Sequence, residues 1–132
     1  MTDQQPTLRV LVLDPAAPPC VTEIPAADLT ALQSLVGGYL EAVYGMTDDE
    51  RPVVLYVNED GRRLNLPAND TATLVWRWSN PAVACCNDLL GTVVVVGVNG
   101  CEDADVPERA VTAAERLWGA LAFDRAVNGW EP

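Results

Sequence analysis

The chain has no histidine and no lysine. Without histidine the usual general base at neutral pH is missing, and Ser-His and Cys-His nucleophiles are excluded. Without lysine, all positive side-chain charge rests on eight arginines, set against 19 acids for a net charge of −11. Such a chain repels nucleic acid and anionic membranes, because the phosphate-neutralising attraction that dominates nucleic-acid affinity is absent. Long apolar runs are missing as well: none approaches the roughly 20 residues of a membrane span. The opening MTDQQPTLRV has no basic stretch leading into an apolar one, so no export signal is read and the cytoplasm is the expected compartment.

Zinc spacing is also missing. Cys20, Cys85, Cys86 and Cys101 include no C-x-x-C pair. Cys85 and Cys86 are neighbours, with Cα atoms about 3.8 Å apart, shorter than the roughly 4.4 Å lower end for disulfides. The cysteines are expected to be reduced thiols packed as small apolar residues. No metal and no cofactor are expected.

What is present suits one globular domain. The chain has 132 residues, 49% of them apolar and 20% charged. At that length it buries roughly two thirds of its unfolded surface and needs no metal or disulfide to stay folded. Residues 7–14 and 20–24 read as strands around a proline-rich connector. Pro25 suits a helix start, and Leu29, Leu32, Leu35 and Val36 give the following segment one apolar face.

Gly37 and Gly38 come straight after that face. A glycine there takes the left-handed conformation that closes the last turn of a helix. Phosphate-binding glycines instead precede a helix, where free N–H groups and the positive dipole end meet the anion. The pair is therefore read as a helix stop and not as a nucleotide cradle.

Residues 39–44 alternate as a strand, with Tyr39, Glu41 and Val43 on one face. The sequence NEDG between residues 53–58 and 62–66 predicts a hairpin over 53–66. Asn69 or Asp70 is an N-cap for a short helix or extended turn. Residues 89–98 form the continuous apolar run of a central strand covered on both sides. The last segment, about 105–122, is an amphipathic helix with Asp105 as N-cap and Glu108 completing a capping-box-like start. The order β-β-α-β-β-β-(short α)-β-α predicts an α+β fold: a mixed or mainly antiparallel sheet with two or three helices packed on it, on one face.

The stretches LQSLVGGYLEAV, VNEDGRRLNLPANDTATL and DLLGTVVVVG, in that order, resemble the small bacterial and phage domain DUF3846, a domain of unknown function. The resemblance covers about residues 32–98. It implies a phage- or mobile-element-associated protein and no catalytic residue, since no activity is assigned to the family.

The residues suggest where a partner would sit. Tyr39, Glu41, Asn58, Glu59 and Asn69 are candidates for a polar pocket, and a buried Glu41 would need Arg62, Arg63 or Asn69 as its partner. Trp76 and Trp78 flank Arg77, an arrangement suited to stacking a planar ligand or pinning a protein. Trp118 suits the core or a dimer interface, and Trp130 completes the set of four tryptophans. The acids of TDDE and CEDAD do not follow the calcium-loop pattern.

The leading expectation is a non-enzymatic binding protein that engages an unknown protein or a small molecule. One alternative is a protein that sequesters nucleotides or signal molecules, with Arg62 and Arg63 on phosphates. The others are an acidic mimic of DNA and a carboxylate-dependent enzyme using Glu41 with Glu59. A homodimer through the last helix or an open sheet edge is also compatible with the pattern.

Overall fold

The structure, a computed structural model, describes residues 6–129; Trp130 lies outside them. The elements follow as β1 (Thr7–Leu13), β2 (Cys20–Pro25), α1 (Leu29–Val36), β3 (Leu40–Met46) and β4 (Pro52–Asn58). After these come α2 (Asp70–Ser79), a 3-10 turn at Pro81–Val83, β5 (Val93–Asn99), β6 (Glu102–Ala104) and α3 (Glu108–Asn128). All strands join one six-stranded antiparallel sheet in the order β2-β1-β5-β4-β3, with β6 also on β5. The fold is α+β, as the element pattern predicts. Among the described residues no helix is long and apolar enough to cross a membrane.

The apolar run before residue 98 becomes the central strand. Val93, Val94, Val95 and Val96 are fully buried and alternate between two cores. Val93 and Val95 join Leu11, Leu13, Leu55, Val75 and Ala110 under α2 and α3. Val94 and Val96 join Val10, Ile24, Leu32 and Val36 under α1. Helices therefore cover both faces of the sheet, not one. The apolar side chains of β1, β4 and β5 fill both pleats, and neither set can be left in water.

The first helix starts later than Pro25. That proline is the last residue of β2 and pairs with Thr7. The helix opens instead at Asp28, whose carboxylate accepts from the Ala31 N–H at 3.0 Å, supplying a cap that proline lacks. At its far end Gly37 adopts φ +88°, and the Gly37 and Gly38 N–H groups both donate to the Gln33 carbonyl, at 2.8 and 3.1 Å. The two glycines stop a helix, and their amides are spent in doing so.

The 53–66 hairpin does not form. Residues 59–65 coil into turns in which Leu64 N–H donates to Asp60 O and Leu66 N–H to Gly61 O, while Asn65 takes φ +56°. The reason is valence: β4 already has β3 on one side and β5 on the other, which leaves no edge for a returning strand. The hairpin is β3–β4, closed by Thr47 N–H to Arg51 O at 2.8 Å.

The last helix also differs from expectation. It runs from Glu108 to Asn128, with Pro107 at the N-cap and no side-chain cap bond. Asp105 accepts from the backbone N–H of Arg9 at 2.8 Å, and Arg9 O accepts from Val106 N–H at 2.9 Å. Asp105 thus ends the ladder along β1 and does not begin the helix.

Candidate functional site

A cleft of about 420 Å³ opens on the α2 side of the sheet, beside the end of β4. From β3 come Glu41 and Val43, which the pleat places on the α2 face along with their partners Val57 and Leu55. The end of β4 and the turn after it supply Asn58, Glu59, Gly61 and Arg62. The turn is set by Asn58, whose side-chain oxygen accepts from the Asp60 N–H at 2.8 Å while its carbonyl accepts from Gly61 N–H at 3.1 Å. Trp76 of α2 forms one wall, and the segment from Cys86 to Leu90 forms another.

The geometry brings together Glu41, Asn58, Glu59, Arg62 and Trp76 out of the residues singled out in the sequence. Tyr39 stands outside the cleft, 68% exposed. Trp78 lines a separate hollow of about 220 Å³ with Asp48, Arg109 and Leu117. Asn69 is wholly buried, and its side chain is fully occupied. Its Nδ2 donates to Leu13 O at 2.8 Å and Gly91 O at 2.9 Å, and its Oδ1 caps α2 by accepting from Ala72 N–H at 3.0 Å. Asn69 builds the wall and does not line the cleft.

That wall is held by backbone as well. Asn69 N–H donates to Leu89 O, Gly91 N–H to Pro67 O, and Leu89 N–H to the Thr73 hydroxyl. Arg77 fixes the outer rim by donating to Cys86 O at 3.0 Å and to Asp88 at 3.4 Å. The sequence reading missed this rim, because residues 84–90 have no periodicity; the only local signal was the acid Asp88 two residues after the cysteine pair.

Glu41 is exposed and makes no ion pair among the described residues, so the partner expected for a buried carboxylate is not required. Arg63 is taken by Asp60, at 3.1 Å. Among the described residues Arg62 is then the one cation lining a cleft that also presents Glu41, Glu59 and the Arg77-bound Asp88. Among the described residues these acids do not converge closely enough to hold a metal ion.

Trp76 is the link between cleft and sheet edge. Its Nε1–H donates to the Tyr44 carbonyl at 3.2 Å, and Asn80 Nδ2 donates to the same oxygen at 3.0 Å. Both α2 side chains therefore reach over to β3 and hold the ring against the cleft wall.

Two acids elsewhere have local partners. Asp48 bonds Arg109, which holds its carboxyl below the ordinary carboxylate value. Asp103 accepts from the Tyr56 hydroxyl at 2.8 Å; burial first, and then that bond, push the phenol well above its usual range. The four cysteines are free, as expected, but exposed and not packed: residues 84–88 lie on the surface beyond the 3-10 turn, away from either core.

A family model described as Domain of unknown function (DUF3846) matches residues 8–119. The match reaches beyond the 32–98 stretch that carries the resemblance, taking in β1, β2 and most of α3. No curated protein and no solved structure matches the chain.

Proposed function

The chain belongs to the DUF3846 family, and from that premise we propose that it is a binding protein with no chemistry of its own, whose cleft between β3, the end of β4 and Trp76 receives a cationic group of a small molecule or a partner protein. One observation carries this reading. Glu41 and Glu59, which make no ion pair among the described residues, face a shared cleft with Asp88, which Arg77 holds, an indole beside them and Arg62 against them. Carboxylates attract a cation, and the face of an indole at an exposed site adds attraction of about 0.5–1 kcal/mol.

The same balance of charge argues against a nucleotide, whose phosphates would meet Glu41 and Glu59 against the single Arg62, with Asp88 already held by Arg77. Histidine-free chemistry by Glu41 and Glu59 lacks a supporting feature, since no partner holds Glu41 for acid–base work. The family match is silent on phage or plasmid association.

The test is a titration of the full chain with ethylguanidinium and, separately, adenosine monophosphate, following the Trp76 indole N–H by NMR. The expected result is a saturable shift with ethylguanidinium that weakens severalfold in Glu41→Gln and in Glu59→Gln. A shift with the nucleotide alone would replace this reading with the sequestering one, and silence toward both ligands would remove the cleft as a site.

A further inference from the structure

The strand that carries Glu41 is an edge strand. β3 ends the sheet, with β4 on one side and nothing on the other among the described residues. Which of its backbone groups face outward follows from the register. Glu59 N–H donates to Tyr39 O at 2.8 Å, and Thr47 N–H to Arg51 O, so the odd-numbered residues of β3 exchange hydrogen bonds with β4. The even-numbered ones, Leu40, Ala42, Tyr44 and Met46, point their N–H and C=O groups away from the sheet. The Tyr44 carbonyl supports this parity, because Trp76 and Asn80 reach it from outside.

Those two side chains close the edge at Tyr44 and leave it open at Leu40 and Ala42, whose outward N–H and C=O groups have no partner among the described residues. An open ladder of this kind is a template for another strand. Its two flanks differ. On the α2 side lies Glu41 and the acidic cleft with Trp76. On the opposite side lie Leu40, Ala42 and the exposed ring of Tyr44, beside a second hollow shared with Tyr56 and Val98, whose lining also includes Glu102 and Asp103, the latter bonded to the Tyr56 hydroxyl.

The geometry points to an extended segment of a basic partner protein as the occupant, added as a seventh strand along Leu40–Ala42. Its residues alternate between the two flanks, as side chains do along any strand. A residue opposite Glu41 shares its face and enters the acidic cleft; residues opposite Leu40 and Ala42 lie on the apolar flank. The segment is therefore apolar–basic–apolar, with arginine or lysine at the centre.

Charge selects this occupant over a second copy of the chain. A copy carries the same net −11, and pairing two β3 strands about Glu41 would set like carboxylates side by side. The inference rests on the cleft reading for its basic residue, while the strand addition is a separate claim with its own test.

The experiment uses a seven-residue peptide of alternating valine and arginine, with binding to the full chain followed by titration and by amide exchange at Leu40 and Ala42. Expected results are saturable binding, slowed exchange at Ala42, and at least tenfold weaker binding when the arginines become glutamates. Methylating every second peptide amide separates the geometry further. Methyl groups on the valine amides abolish an antiparallel addition and those on the arginine amides a parallel one. One phase must lose at least tenfold while the other binds normally. Ala42→Pro removes an outward N–H that β4 does not use, and it should weaken the peptide by about tenfold in a chain whose melting shows it folded.

If both methylated peptides bind like the parent while ethylguanidinium still shifts Trp76, strand addition is overturned and the cleft reading stands. If the glutamate peptide protects Ala42 as well as the arginine peptide does, the cleft reading fails and strand addition stands. A dimer that grows with concentration and protects Ala42 without peptide would overturn the assignment to a basic partner.

Discussion

The two edges of the sheet are guarded by different means. On β2 the outward residues are Val21, Glu23 and Pro25, since Ala26 N–H bonds Pro6 O and sets the parity. A charge and a residue with no N–H blunt that edge within its own sequence. On β3 the outward residues are Leu40, Ala42, Tyr44 and Met46, with no charge and no proline among them, and among the described residues the guard comes from Trp76 of α2 and Asn80 at its C-cap. An edge left unguarded by its own residues keeps backbone N–H and C=O groups free for pairing. The β2 edge is closed by composition, and the β3 edge is closed only as far as α2 reaches.

The sharpest way to break the contrast is to release α2. Asn69→Ala removes the bonds that Asn69 gives the buried carbonyls of Leu13 and Gly91 and uncaps the helix at Ala72. The expected loss is about 3 kcal/mol or more in urea denaturation, because each buried group left unpaired costs about 1–3 kcal/mol. Exchange of the Trp76 indole N–H, which donates to Tyr44 O, should rise.

Gly45→Ala acts on the same contact directly. A Cβ at Gly45 would lie 2.0 Å from the Ser79 hydroxyl oxygen and 2.6 Å from its Cβ, so the end of α2 must lift from β3. The expected cost is about 1–3 kcal/mol. The same denaturation on Cys20→Ala, at an exposed site on β2, should move stability by no more than about 0.5 kcal/mol. Equal costs at the two sites would erase the proposed difference between the edges.

Tyr56 pairs with Ala42 across the hairpin and is tied to β6 through Asp103. Tyr56→Phe should cost about 0.5–1.5 kcal/mol for the lost hydrogen bond. The phenol's folded pKa is raised, so its contribution is whole below the ordinary value of 10.0 and is lost as pH climbs above it. Wild type should therefore lose stability above that pH more steeply than the phenylalanine variant, as urea midpoints on the alkaline side would record.

The smallest effect belongs to Asp48 and Arg109, which tie the β3–β4 loop to α3 at an exposed site. The carboxyl is lowered from 3.8, so what the pair contributes is present above that value and fades as pH falls through the folded pKa. Urea midpoints of wild type and Arg109→Ala should differ slightly at pH 6 and converge near pH 2.

Much of the fold was legible because it rests on local chemistry. The Asn69 cap, the Gly37 stop and the alternation of β3 each depend on a few neighbouring residues. The 53–66 hairpin misled for a physical reason: NEDG does make a turn, but whether a turn returns as a strand depends on which edges are vacant. Asp105 misled likewise, since a carboxylate suited to cap a helix bonded the Arg9 N–H instead. Of the site, Glu41, Asn58, Glu59, Arg62 and Trp76 were visible as isolated polar or aromatic residues. Asp88 and the rim that carries it were not, because what holds them is the pairing of residues 67–69 with residues 89–91 across the chain.

The sequence by itself determined the charge, the absence of histidine chemistry, the α+β class and the role of the glycine pair. Each follows from composition or from contacts within one turn of chain. Only the tertiary structure decided that helices cover both faces, that β3 and not the 62–66 segment partners β4, and that the acidic cleft adjoins an open edge. Strand order and vacant backbone valence belong to the assembled sheet, and no local stretch of residues encodes them.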